Sequence, residues 1–172
     1  MIEFDDGVHL KDSSIWIDAT KKKNLSFLSN ALSSGFVKHA KVIATPQTHK
    51  LLERKLSGIN VLPCPYNHLF NLGKIEVELL PSGFILGSAQ ILIYMGNSKI
   101  LYTSDFNLDN LKTTVSTEIT TCDTLLLKST YGKKKYFFPS PDIAIKAIID
   151  FIDSCFEKDL VPVLLAEPLG NS

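Results

Sequence analysis

The hydrophobic positions of the chain fall into short runs for two-thirds of its length and then settle into a helical stripe. "SIWIDA" (14–19), "LSFLS" (25–29) and "KVIAT" (41–45) are compact β-branched or aromatic runs with polar flanks, and each predicts a strand. "TPQTHKLLERKLSG" (45–58) predicts a helix: Thr45 can cap it, Pro46 suits the first helical position and Gly58 can end it. Strands resume with "INVLPC" (59–64), "KIEVELLPS" (74–82) and "AQILIYMG" (89–96), and "MGNSK" predicts a hairpin into "KILYTSD" (99–105). "CDTLLLKST" (122–130) is apolar enough to predict a strand buried on both faces. In "SPDIAIKAIIDFIDSCFEKD" (140–159), Ser140 and Pro141 open a helix, and Ile145, Ile148, Ile149, Ile152, Cys155 and Phe156 line one side of it. "VPVLLAEP" (161–168) predicts a strand leaving that helix. Many strands, then a helix and a returning strand, predict a mixed sheet packed by helices, in the α+β class.

Composition narrows the function. At 172 residues, with 45% hydrophobic and 21% charged positions, the chain fits one globular domain. Eighteen basic and eighteen acidic residues cancel, so net charge gives no support to nucleic-acid or anionic-membrane binding. Two local lysine runs remain, Lys21–Lys23 and Lys133–Lys135. Each reads first as a solvated loop; flanking one groove, the two runs would contact phosphates instead. Cys64, Cys122 and Cys155 lie far apart and form no CxxC pair, which predicts reduced, packed thiols and a cytoplasmic protein. No signal peptide is legible in "MIEFDDGVHL", and no run reaches the ~20 apolar residues of a membrane span.

Four segments, taken in order, resemble the metallo-β-lactamase fold, and within it the β-CASP nuclease branch. That branch includes RNA 3′-end-processing nucleases and DNA-ligase-associated exonucleases. "PSGFILGSAQ" (81–90) resembles PAGHxLGSAQ, and "ILYTSDF" (100–106) resembles the YTGDF segment. "CDTLLLKSTYG" (122–132) with "YFFPSP" (136–141) resembles CDxLIxESTYG and its aromatic-proline continuation. "VPVLLAEPLGNS" (161–172) resembles the strand and loop that precede a Gln-Glu pair, and "VIATPQTHKLL" (42–52) keeps the same register. The resemblance covers nearly the whole chain. It implies an αββα sandwich in which residues 1–172 form a single partial domain, with the β-CASP insert and the closing segment absent.

The same resemblance implies a loss. The family's HxHxDH turn supplies most of the ligands to a pair of zinc ions, and "NALSSG" (30–35) stands in its place. Asn30, Leu32, Ser34 and Gly35 occupy the ligand positions, Phe84 replaces a further histidine, and Asp105 alone keeps a ligand-type side chain. Leucine and phenylalanine have no donor atom, neutral serine and asparagine oxygens are poor donors, and zinc needs about four ligands at roughly 2.0–2.3 Å. No metal cofactor is expected, and without one no bound water is acidified for hydrolysis. His9, His39, His49 and His68 match no ligand position. Relatives carry Glu where this chain has Lys128. Two readings of Lys128 stand side by side: it pairs with Asp105 as a substitute positive charge, or it extends into solvent. Leu32 and Phe84 are expected to fill the emptied pocket. Asp18 in "WIDAT" matches an aspartate common in relatives and is expected to support the site structurally. Ser88, Ser129 and Thr130 lack a histidine base and read as hydrogen-bonding residues rather than nucleophiles.

The functional expectation is a pseudoenzyme: an inactive, shortened relative of β-CASP nucleases acting as a binding, assembly or regulatory subunit. Its expected partner is another protein, or a second copy meeting it at the edge left by the shortened fold. The enzyme-class alternative is a metal-dependent nucleic-acid phosphodiesterase, of exonuclease or RNA 3′-end-processing type, completed by a partner chain. A decayed remnant is the third reading, though intact strand patterning argues against it.

Overall fold

The computed structural model describes residues 2–33, 37–166 and 169. The chain divides into two compact units, Met1–Lys128 and Ser129–Ser172. The first holds two mixed sheets and one short helix. One sheet runs in the order β1 (Ile2–Phe4), β2 (Val8–Leu10), β3 (Trp16–Ile17), β4 (Leu25–Phe27), β5 (Lys41–Ala44) and β6 (Asn60–Pro63). Its first three strands are antiparallel neighbours, and β3 through β6 are parallel. The other sheet runs β11 (Thr124–Leu126), β10 (Ser98–Tyr102), β9 (Ala89–Met95), β8 (Ile75–Pro81) and β7 (Phe70–Leu72), with only β10–β11 parallel. This is the mixed α+β architecture expected from the pattern.

The two sheets share one core. Strand β8 alternates, sending Ile75, Val77 and Leu79 inward while Glu76 points out to solvent, as the twofold period of a half-buried strand requires. Ile17, Phe27 and Ile43 meet them from the first sheet. Strand β9 is buried on both faces, because Leu92 joins Leu80 and Leu101 in a second apolar cluster. The β9–β10 hairpin closes over Gly96 and Asn97, with Gly96 at φ +60°, where a side chain is disfavoured.

Several boundaries differ from the sequence expectation, each for a physical reason. Helix α1 (Pro46–Leu51) is shorter than 45–58. Thr45 caps it, accepting from the Thr48 N–H, and the chain then turns through Leu52 and Leu56, which are buried. Strand β11 is not covered on both faces: it lies at a sheet edge, and Leu125 and Leu127 are exposed. The β1–β2 hairpin and β7 were not expected, since three-residue strands are too short to display a period.

In the second unit, α2 spans Pro141–Phe156. Ser140 takes the N-cap position with Pro141 behind it, but its side chain makes no capping hydrogen bond. Of the apolar stripe, Cys155 is buried, whereas Ile145, Ile148, Ile149 and Phe156 are exposed. The strand expected at 161–168 is absent across 161–166, and Glu167 and Pro168 lie outside the described residues. Alternating Val161, Val163 and Leu165 supply β propensity, but a strand also needs a partner ladder for its backbone groups. Cys64, Cys122 and Cys155 are free thiols. No helix among the described residues is long and apolar enough to cross a membrane.

Candidate functional site

The residues singled out in the sequence converge where the inter-sheet core gives way to polar side chains, at the ends of β3, β4, β10 and β11. Strand periodicity places them. Phe27 faces the core from β4, and two residues on, Ser29 emerges beyond it; Tyr102 lines the core from β10. The parallel register of Ile100–Tyr102 on Thr124–Leu126 brings Lys128 out beside Ser104 and Asp105, and the Lys128 N–H donates to Thr103 Oγ1 at 3.2 Å.

A connected polar network fills the place. The Asp18 carboxylate accepts from the Ser29 N–H (2.9 Å), the Ser29 hydroxyl (2.6 Å) and the Tyr102 hydroxyl (3.1 Å). The Ser29 hydroxyl in turn accepts from Asn30 Nδ2 at 3.2 Å, and that same amide donates to Ser104 Oγ at 3.3 Å. Asn30 Oδ1 accepts from the Leu32 N–H at 2.8 Å, and Ser33 folds back on the Asn30 carbonyl. Asn30 is 1% exposed and spends both amide hydrogens and its oxygen inside the protein. At the end of the network, Lys128 Nζ lies 2.5 Å from Asp105 Oδ2. The pairing geometry is therefore present. Its side chains remain 38% and 21% accessible, so water still screens them.

Burial sets the electrostatics. It pushes the Asp18 carboxyl above its ordinary value, opposed by the hydrogen bonds from Ser29 and Tyr102 and by the Lys128 charge. Burial likewise raises the Tyr102 hydroxyl, and the nearby Asp18 and Asp105 carboxylates add to the effect. Two backbone positions of the network lie in the left-handed region, Asp18 at φ +46° and Ser104 at φ +61°. Ser104 stands where the similar family motif has glycine, and the network holds it there.

Not every expected residue joins in. Leu32 is half exposed and so does not fill a pocket. Phe84 is half-buried, and its N–H donates to Ser88 Oγ at 3.2 Å. Its loop is clamped from outside. A Cβ on Gly83, at φ +68°, would collide with the Asn107 carbonyl, and Thr117 bonds both Ser82 and Asn107. Ser34 and Gly35 lie outside the described residues. Ser88 uses its hydroxyl to hold the Phe84–Ile85 turn, which fits a structural role.

The histidines stand elsewhere. His9 stacks on Trp16 with centroids 4.3 Å apart, and His39 is buried, where desolvation lowers its pKa and Nδ1 accepts from the Lys23 N–H. Among the described residues no three His, Cys, Asp or Glu side chains converge as a cation site. Tested against a hydrolytic zinc pair, the described positions do not fit: Leu32 and Phe84 offer no donor, Asn30 is committed internally and Asp105 faces an ammonium. Ser29, Tyr102 and Ser104 were missed from the sequence. Only serine in place of the motif glycine at 104 could have marked one of them.

The chain is similar to two curated proteins. It is 28% identical over 179 residues to a protein named "Probable DNA ligase" from Opitutus terrae, an alignment covering 99% of this chain and 17% of that protein. It is 33% identical over 94 residues to an "RNase J-like protein" from Methanocaldococcus jannaschii, covering 52% of this chain and 22% of that one. The chain thus spans about a fifth of the length of these curated relatives. A crystal structure of a protein of unknown function from Enterococcus faecalis V583 overlays 49% of this chain and 25% of its own, with a TM-score of 0.40 and 19% identity. No family model matches. At low identity, and over part of each relative, the chain is related to proteins named for nucleic-acid processing, which supports in part the resemblance to the metallo-β-lactamase and β-CASP group.

Proposed function

We propose that this chain is a catalytically inactive relative of β-CASP metallo-nucleases, serving nucleic-acid processing as a binding, assembly or regulatory subunit with a protein partner. One observation carries the reading: the Lys128 ammonium sits 2.5 Å from Asp105, where the family pattern would have a dication. A half-buried carboxylate deprived of metal needs a compensating charge, and lysine provides it without coordination chemistry. The Asp18–Ser29–Asn30–Ser104 network supports the account, because it commits the Asn30 amide, at the first position of the matched turn, to hydrogen bonds inside the protein.

The test combines a nuclease assay on single-stranded DNA and RNA, with added zinc or manganese, and capture of an active β-CASP nuclease by the tagged chain. Absence of cleavage with capture of the nuclease is the expected result. Metal-dependent cleavage that disappears in Asp105→Ala would overturn it. The second reading, a metal-dependent nucleic-acid phosphodiesterase completed by a partner's ligands, draws its support from the similarity to a protein named as RNase J-like. It predicts cleavage only after the partner is added.

A further inference from the structure

The two lysine runs, alike in sequence, differ in the structure. Lys21 and Lys23 both reach the Asp6 carboxylate, at 2.9 and 3.3 Å, and Lys23 also lies 3.5 Å over the Trp16 ring. Two of the three lysines in that run are thus ion-paired. None of the ion pairs among the described residues involves Lys133, Lys134 or Lys135. Residues 129–141 contain no acidic side chain, and the three adjacent lysines are all exposed.

Aromatic rings interleave with them. Tyr131 meets Tyr136 and Phe138 edge-to-face, with centroids 5.3 and 5.2 Å apart, and Lys135 Nζ lies 4.9 Å over Tyr136. Two tight turns, closed by the Gly132 N–H on the Ser129 carbonyl and the Tyr136 N–H on the Lys133 carbonyl, gather these side chains into one loop. The rings do not form a core: Phe137 is 92% exposed, Phe138 62% and Tyr131 60%. Edge-to-face packing holds the cluster while leaving ring faces open.

We infer that this loop is a stacking platform for single-stranded nucleic acid, with bases on the open ring faces and phosphates on Lys133–Lys135. Charge complementarity selects a polyanion, and the exposed rings select one whose bases are unpaired, because duplex bases present no open face. The balanced net charge of the chain does not oppose this, since contacts to phosphate are local and the screening length is about 8–10 Å at physiological salt. The inference is independent of the metal-site reading: the loop would serve an inactive subunit or an active enzyme alike.

Fluorescence anisotropy with labelled dT and rU oligomers of about 20 nucleotides tests it, beginning at about 50 mM salt. Binding is expected to one or both oligomers, and the stronger of the two tells whether DNA or RNA is the ligand. Three contacted phosphates predict a log–log salt slope of about −2. Phe137→Ala should weaken binding by about fivefold or more while leaving the circular dichroism spectrum unchanged. Joint replacement of Lys133, Lys134 and Lys135 by Glu should weaken it by at least about tenfold. Absence of binding at low salt would overturn the inference. So would equal affinity for polyglutamate, anionic vesicles or duplex DNA, or an unaltered affinity in Phe137→Ala.

Discussion

The polar corner at the ends of β4 and β10 and the loop at 129–138 are opposites in how they treat their functional-looking side chains. In the corner, Asp18, Ser29, Asn30 and Ser104 bond one another, and Asp105 meets Lys128. Among the described residues, no three His, Cys, Asp or Glu side chains converge there. In the loop, lysines and rings stand exposed, and no ion pair among the described residues consumes their charge. Hydrogen-bond satisfaction marks a place that stabilises the fold, whereas unspent charge and exposed apolar area mark a place that awaits a ligand. The motif resemblance marked the corner as a metal site that had lost its ligands; the nucleic-acid contact proposed above lies in the loop instead.

Substitutions separate the two regions by what they disturb. The largest effect is expected at Asp18, whose removal by Asp18→Ala leaves the Ser29 N–H and two hydroxyls without their acceptor. A loss of about 2–4 kcal/mol should appear in urea unfolding. Because burial raises this carboxyl, the folded chain keeps a proton that the unfolded chain releases near 3.8. The associated stability is therefore full below that value and is lost as pH rises towards the raised one, and Asp18→Asn should flatten this slope. Next comes Asn30→Ala, which orphans the Leu32 N–H and should cost about 1–2 kcal/mol in the same measurement. Lys128→Met should cost about 1 kcal/mol, since water screens the Asp105 pair. The smallest stability effect belongs to Phe137→Ala, within about 0.5 kcal/mol, because the ring is almost wholly exposed. A large unfolding effect at Phe137, or a negligible one at Asp18, would break the contrast.

Much of the architecture was legible because it follows from period and punctuation. The strand run "KIEVELLPS", the Gly96–Asn97 turn and the Thr45–Pro46 cap all became what they predict. For Lys128 the sequence left two readings open, pairing with Asp105 or extension into solvent, and only the fold puts its ammonium 2.5 Å from that carboxylate. What was not legible depends on partners. Whether "CDTLLLKST" is covered on both faces is decided by sheet order, not by its own hydropathy, and "VPVLL" cannot form a strand without a neighbour. Leu32 reads as pocket filler in the sequence, but its N–H is fixed on Asn30 Oδ1 and its side chain turns outward. Ser29 and Ser104 are ordinary residues until the fold brings 30 and 104 together.

The sharpest test is the metal content of the full chain, purified without chelators, equilibrated with micromolar zinc and dialysed, then measured by mass spectrometry against Asp105→Ala. An ion pair in place of the metal centre predicts no retained zinc above the level of the variant. Retention of about one or two equivalents, abolished by Asp105→Ala, would contradict it.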